Sequence, residues 1–123
     1  PVAGLAKAPY VIDNNIDLSN LAEPKLVMGG AVTDVAKVFP ANVNVAVAVS
    51  LAGYGTDKTR MEVWADPALE KNQHTVRVVS DSSDFTMTIQ NRPTEENPAT
   101  GKITALSVIA MLRQKTSVLQ VGT

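Results

Sequence analysis

His74 is the only histidine of the chain and the side chain best suited to acid–base chemistry. It lies in the stretch DPALEKNQHTVRVV (residues 66–79), after a polar connection and at the start of a predicted strand. The ordinary pKa of an imidazole, about 6.5, lies near neutrality, so this residue type can act as a general acid or base. The residues alone also fit a plainer interpretation, since a histidine at a strand edge is commonly just a polar side chain.

Other chemistries at His74 lack the residues they need. With no second histidine and no cysteine in the chain, a zinc site would need carboxylates alone around the imidazole. No G-x-S-x-G motif is present to supply the serine of a nucleophilic triad. General acid–base catalysis is the remaining functional interpretation.

Two asparagines mark the start of a predicted helix of about eleven residues in the segment 41–55, with a stop at Gly53 and Gly55. Asn42 is the natural N-cap, which is a structural role. Asn44 then falls in the first turn, where its amide is not needed for capping. It is free to bind a ligand's amide or carboxylate beside the positive end of the helix dipole.

A few further residues are candidates for binding anions or rings. Arg92, Lys102 and the peptide groups of residues 100–102 could hold an anion, although a solvated loop is the alternative. Gly53-Tyr54-Gly55 lacks the third glycine of a dinucleotide loop and follows a helix, so it predicts a helix end. Trp64, within a strand, is predicted to lie in the core.

Composition narrows the class of protein. A chain of 123 residues with 45% apolar and 19% charged residues is typical of one globular domain. The net charge of −1 argues against nucleic acid as a partner, because phosphate binding needs a basic face. The longest apolar stretch, residues 45–52, is far shorter than the ~20 residues of a membrane span. The opening Pro1-Val2, without an initiator methionine, suggests a fragment of a longer chain.

Hydrophobic periodicity predicts the elements that position these residues. Valine alternates with alanine and asparagine over residues 43–49, which is strand-like, but the cap signals and the length favour a buried helix. A short helix over Leu18–Ala22, capped by Asp17, is a further possibility. The predicted strands are 25–32, 59–65, 75–80 and 84–91, with a hairpin loop at 81–84. The predicted helices are 33–40, capped by Thr33, then the one within 41–55 that ends at the glycines, and 103–113.

These elements predict an α+β fold, a two-layer domain with a mainly antiparallel sheet and helices packed on one face. Residues 1–25 are interpreted as an irregular N-terminal segment, and residues 26–123 as the folded domain. The second face of the sheet carries valine and methionine and would need a cover. We therefore expect a homodimer.

Three segments together resemble a known family. FPANVNVAVAVSLAG (39–53), ADPALEKNQHTV (65–76) and NRPTEENPATGKITALSVIAMLR (91–113) are similar to the C-terminal domain of the L-aspartate dehydrogenase family. The resemblance covers roughly residues 26–115, and it implies that residues 26–123 are the catalytic and dimerisation domain. It implies an absent N-terminal Rossmann domain that binds NAD or NADP, and a cytoplasmic enzyme that oxidises L-aspartate to iminoaspartate, and so to oxaloacetate and ammonia.

The resemblance also implies roles for individual residues. His74 would be the catalytic acid/base, and Asn44 would contact the dinucleotide reaching over from the Rossmann domain. Together with Asn44, Arg92 and Lys102 are candidates to bind the two substrate carboxylates, with no metal involved. Gly101 stands where relatives usually carry serine, which puts that serine's role in doubt here.

Two other functions stay open at this point. One is another two-domain amino- or keto-acid dehydrogenase, such as a dihydrodipicolinate-reductase-like enzyme, although no glycine-rich or basic substrate motif of that family is apparent. The other is a binding or dimerisation module without catalysis. A G-x-G-x-x-G motif upstream in the full gene product would separate the dehydrogenase from the module.

Overall fold

The computed structural model describes residues 1–40, 43–90 and 102–116, with side chains of the last segment described from residue 106. The predicted α+β class with antiparallel strands is confirmed. The chain divides into two compact units, residues 1–70 and 71–123. In chain order the described elements are α1 (Val2–Leu5), α2 (Pro9–Asp13), β1 (Lys25–Ala31), α3 (Val32–Val38), α4 (Asn44–Ala52), β2 (Arg60–Ala65), β3 (Gln73–Val79), β4 (Asp84–Gln90) and α5 (Lys102–Thr116).

The first unit is built on the antiparallel pair β1–β2. The register runs from Lys25 opposite Ala65 to Ala31 opposite Arg60, with an irregularity between Leu26 and Met28. Side chains alternate across a strand, so one face of the pair points into the core and the other points outward. The buried cluster of this unit comprises Leu5, Val11, Leu18, Val35, Phe39, Val63 and Ala65.

Helix α3 contacts both strands of this pair and also α4. Val32 and Val35 are fully buried, and the ring of Phe39 meets Tyr10 edge-on with centroids 5.5 Å apart. The prediction that Thr33 caps this helix is wrong. Its N-cap is Ala31, and the hydroxyl of Thr33 donates instead to Oδ1 of Asp57 at 2.6 Å.

The segment before β1 differs from its prediction. Residues that read as irregular contain α1 and α2, and the possible helix over Leu18–Ala22 is absent. The Asp17 carboxylate does not cap a helix. Its Oδ1 accepts hydrogen bonds from the backbone N–H and the hydroxyl of Ser19 at 2.8 and 2.5 Å, which closes a local turn. Short polar side chains compete with the helix in this way.

Helix α4 confirms the helical interpretation of the alternating valines. Its predicted burial is only partly right, because Ser50 is the one fully buried residue of the helix and Asn44, Ala48 and Leu51 are exposed. The helix ends as predicted at the glycines. The Ser50 carbonyl accepts the N–H of Gly53 at 3.2 Å and that of Gly55 at 2.7 Å.

The second unit contains the hairpin β3–β4 and helix α5. The strands pair from Gln73 opposite Gln90 to Val79 opposite Asp84, and the loop is closed by the Ser80 hydroxyl, which donates to the Ser83 carbonyl at 2.6 Å. The four strands thus form two sheets of two strands each. The last predicted helix is confirmed as α5, and the apolar side chains described on it, such as Leu106 and Ile109, are exposed.

Candidate functional site

His74 is the second residue of β3 and is half-buried, at the mouth of the strand as predicted. Its cross-strand partner is Ile89. Directly opposite residues of an antiparallel pair point to the same face. We call this surface the His74 face; its described residues are His74, Val76, Val78, Phe85, Met87 and Ile89.

The opposite face of the hairpin is polar. The hydroxyls of Thr75 and Thr88 lie 3.2 Å apart, and the side-chain amide of Gln90 donates to Oε1 of Gln73 at 3.0 Å. These pairs fasten the two strands in register at the end where His74 lies. The imidazole is therefore carried by a fixed strand pair and projects among apolar neighbours.

Asn44 is the first residue of α4 and is exposed. The helix has no side-chain cap hydrogen bond at its N-cap, Val43, and the N–H of Val47 already bonds the Val43 carbonyl at 2.8 Å. The first peptide N–H groups of a helix point out of its N-terminal end and carry a partial positive charge. An exposed amide that can both donate and accept, beside such an end, suits an amide or phosphate group of a dinucleotide.

The remaining predicted site residues are only partly described. Lys102 is the first residue of α5, and its side chain lies outside the described part. Arg92, Gly101 and the predicted cap Asn42 lie outside it altogether. Asn44 belongs to the first compact unit and His74 to the second, and each is described within its own unit.

The prediction that Trp64 lies in the core is wrong. Its side chain is 48% exposed, and it lies opposite Leu26, which is 41% exposed. With Arg60 and Glu62 these residues form a surface that we call the Trp64 face. Strand β2 alternates, so Met61, Val63 and Ala65 take the inner face and leave the tryptophan outside.

Glu62 organises the Trp64 face. One carboxylate oxygen accepts from Nε of Arg60 at 2.9 Å, and the other accepts from the indole N–H of Trp64 at 3.0 Å. The Arg60 and Trp64 hydrogen bonds hold the pKa of Glu62 below its usual value, because they favour the charged form. The sequence signal was the i, i+2, i+4 spacing of Arg60, Glu62 and Trp64, which places all three on one side of a strand.

Within residues 1–40, 43–90 and 102–116, the acidic residues and His74 form no group of three or more that could hold a metal ion. In the same part of the chain, every helix is too short or too polar to cross a membrane.

The fold and these residues define the class first: an α+β domain with two antiparallel strand pairs, His74 on the second pair and Asn44 at the start of α4. The family described as "Aspartate dehydrogenase, C-terminal" matches residues 1–115, which extends the resemblance over the N-terminal segment. The chain belongs to this family. It is 52% identical over 123 residues to an L-aspartate dehydrogenase from Bradyrhizobium diazoefficiens, and 51% identical over the same length to L-aspartate dehydrogenase 3 from Bordetella bronchiseptica.

A solved structure agrees with the sequence comparison. The crystal structure of aspartate dehydrogenase from Thermotoga maritima superposes with a TM-score of 0.69 at 29% identity, covering 91% of this chain and 43% of that one. Both alignments with the bacterial relatives include the whole of this chain, but they include only 44% and 45% of the relatives' lengths. The chain therefore spans somewhat less than half the length of these relatives.

Proposed function

We propose that this chain is the substrate and catalytic domain of an NAD(P)-dependent L-aspartate dehydrogenase. The observation that carries the proposal is the 52% identity to an L-aspartate dehydrogenase over the whole chain. The remaining part of the enzyme, in this proposal, is an N-terminal Rossmann domain that binds the dinucleotide. Support for that part comes from the length of the relatives and from the C-terminal position of the matching family.

The proposed reaction is the oxidation of L-aspartate to iminoaspartate. The nicotinamide supplies the hydride acceptor when it is bound. His74 takes a proton from the substrate ammonium group, so that the nitrogen lone pair is available as the Cα–H bond breaks with its electron pair. The sum is L-aspartate plus NAD(P)⁺ giving iminoaspartate, NAD(P)H and a proton. Water then hydrolyses the imine to oxaloacetate and ammonia, with His74 relaying the proton.

The dinucleotide contact from this chain is assigned to Asn44. The exposed amide at the N-terminal end of α4 supports this role, because it offers a donor and an acceptor beside a partial positive charge. The residues that select NAD or NADP belong to the proposed Rossmann domain. Assays with each cofactor in turn establish the preference.

The two substrate carboxylates are assigned to Lys102 and Arg92, with Asn44 as a further donor. Cationic side chains bind carboxylates through charge-assisted hydrogen bonds, worth about 1.5–3 kcal/mol each. Lys102→Ala and Arg92→Ala should raise the KM for L-aspartate by roughly tenfold or more and leave the KM for the dinucleotide in place. Lys115→Ala, at the far end of α5, is the matched control for lysine loss.

We also propose that the enzyme is a homodimer, with the Trp64 face as the contact between copies. Tryptophan and arginine are enriched in the cores of such interfaces. The charges of Arg60 and Glu62 already compensate one another at 2.9 Å, so two copies can meet without bringing an unpaired charge into the contact. Glu62 also holds the indole by its N–H, which reduces the entropy lost on association.

Light scattering of the whole enzyme after size exclusion tests the dimer. Trp64→Arg should give the monomer mass, because the new guanidinium bonds Glu62 within the chain but leaves an excess positive charge in the contact. Tyr54→Arg is the matched control, since Tyr54 is 86% exposed on a turn of the same unit. A monomeric native enzyme would contradict the dimer, and a dimeric Trp64→Arg variant would contradict this choice of surface.

Two further parts of the proposal concern organisation and location. We propose that residues 1–25 form an N-terminal segment and residues 26–123 a domain, with Leu5 and Val11 of the segment in one core cluster with Val35 of the domain. Limited proteolysis that releases residues 1–25 and leaves a folded remainder would support it. The cytoplasmic location is tested by fractionating cells and assaying each fraction.

The experiment for the activity uses the whole enzyme with L-aspartate and either NAD⁺ or NADP⁺, monitored by the absorbance of the reduced nicotinamide. D-aspartate and L-glutamate are the controls for stereochemistry and chain length. Reduction that depends on L-aspartate is expected. A faster reaction with another amino acid would contradict L-aspartate as the substrate. No reaction with any of the amino acids tested would favour a non-catalytic module.

A further inference from the structure

We propose that Ile89 is a positioning residue for His74: it holds the imidazole in the orientation from which it exchanges protons with substrate. This inference rests on the proposed function of His74. The carrying observation is the pattern of burial along β4. Of its residues Asp84–Gln90, Ile89 alone is half-buried and the others are exposed, and Ile89 is the residue directly opposite His74.

The geometry of an antiparallel pair explains how this contact acts. Directly opposite side chains on one face have Cβ atoms about 4.5–5.5 Å apart, close enough for a ring and a branched side chain to pack together. Ile89 is branched at Cβ, so its χ1 is restricted and its methyl groups present a well-ordered apolar surface. Val76, two residues along β3, lies on the same face of the hairpin.

Met87 provides a matched comparison on the same face. It is opposite Val76, two residues from Ile89, and is 45% exposed. Its side chain is apolar and of similar size, but it is unbranched and flexible and meets the imidazole only diagonally. If kcat depends only on the total apolar surface of the hairpin, substitutions of Ile89 and of Met87 should lower it equally. If kcat depends on the side chain opposite His74, only substitution of Ile89 should lower it.

The first test is the kinetics of the whole enzyme. Ile89→Ala should lower kcat about tenfold and leave the KM for L-aspartate near its native value, since a misoriented base slows proton transfer more than it weakens binding. Ile89→Val keeps the branched Cβ and should restore most of kcat. Met87→Ala should stay within about twofold of native.

The second test reads the imidazole directly. The His74 ring resonance, identified by its absence in His74→Gln, should show faster ring motion in NMR relaxation for Ile89→Ala than for Met87→Ala. If Ile89→Ala does not fold, Ile89→Leu replaces it, since leucine keeps the apolar volume but lacks the branch at Cβ, and the same faster ring motion is expected.

The outcomes separate this inference from the proposed function. Equal kinetic losses in Ile89→Ala and Met87→Ala, or an unchanged ring resonance in Ile89→Ala, would overturn the role of Ile89. A native kcat in His74→Gln would instead overturn the proposed role of His74, while the ring motion would still report whether Ile89 restrains the imidazole.

Discussion

Val35→Ala is expected to destabilise the first unit by about 2 kcal/mol. Val35 is fully buried where α3 meets the β1–β2 pair. The β1 backbone lies close to its side chain, since a Cβ placed on Gly30 would lie 3.8 Å from Cγ2 of Val35. Removing two methyl groups costs about 1.6 kcal/mol in transfer free energy. The space left is bounded by paired strand backbone, which cannot collapse into it, and adds about 1 kcal/mol. The higher helix propensity of alanine offsets about 0.5 kcal/mol of this loss in stability.

Val38→Ala is the matched control, since it makes the same change one turn later in the same helix at a half-buried position. Val38→Ala gains the same helix propensity and removes less buried apolar surface than Val35→Ala. It should therefore change the free energy of unfolding by no more than about 0.5 kcal/mol. In urea denaturation, Val35→Ala should lower the midpoint by about 1 M for an m-value near 2 kcal/mol/M. Equal midpoints for the two variants would refute the packing described for α3.

Three further predictions concern α4 and the segment before β1. Asn44→Asp should raise the KM for the dinucleotide roughly two- to tenfold in steady-state kinetics, and an unchanged KM would argue against the contact. Thermal stability should stay the same or rise, because a carboxylate is favourable at a helix N-terminus. Ser50→Ala should stay within about 1 kcal/mol of native in urea denaturation, since its buried hydroxyl only donates to the Val47 carbonyl at 2.8 Å; a larger loss would show that this bond is essential. The Ser19 side-chain and backbone hydrogen bonds hold the pKa of Asp17 below 3.8, so their contribution to stability is present above about pH 4 and lost as the pH falls through the folded pKa. Carboxyl NMR titration of Ser19→Ala should show the pKa of Asp17 closer to its ordinary value, and an unshifted curve would contradict this cause.

The regular elements could be predicted because their signals are local. Alternation gave the strand positions of β2, β3 and β4, and the glycines after α4 gave its end. The placement of His74 at the start of β3 followed from the same pattern. The role of Asn44, by contrast, came from resemblance, because the position of an exposed amide at a helix start is compatible with many functions.

The errors have different physical causes. Thr33 is a residue type that caps helices, but its hydroxyl bonds the Asp57 carboxylate, 24 residues away. Asp17 bonds Ser19, two residues on, in a local turn that competes with the predicted helix. Hydrophobicity alone predicts that Trp64 lies in the core, whereas the alternation of β2 puts it on the same face as Arg60 and Glu62. Strand phase is the stronger signal for such a residue.

The measurement that tests the central claim most directly is the pH dependence of kcat in the whole enzyme, native against His74→Ala. Gln73→Ala, the neighbour on the polar face of β3, is the control for changes to the strand. Loss of the imidazole should lower kcat by about 10²-fold or more and remove the ionisation of the acid/base from the pH profile, while Gln73→Ala retains both. A His74→Ala enzyme with native kcat and an unaltered profile would contradict His74 as the acid/base.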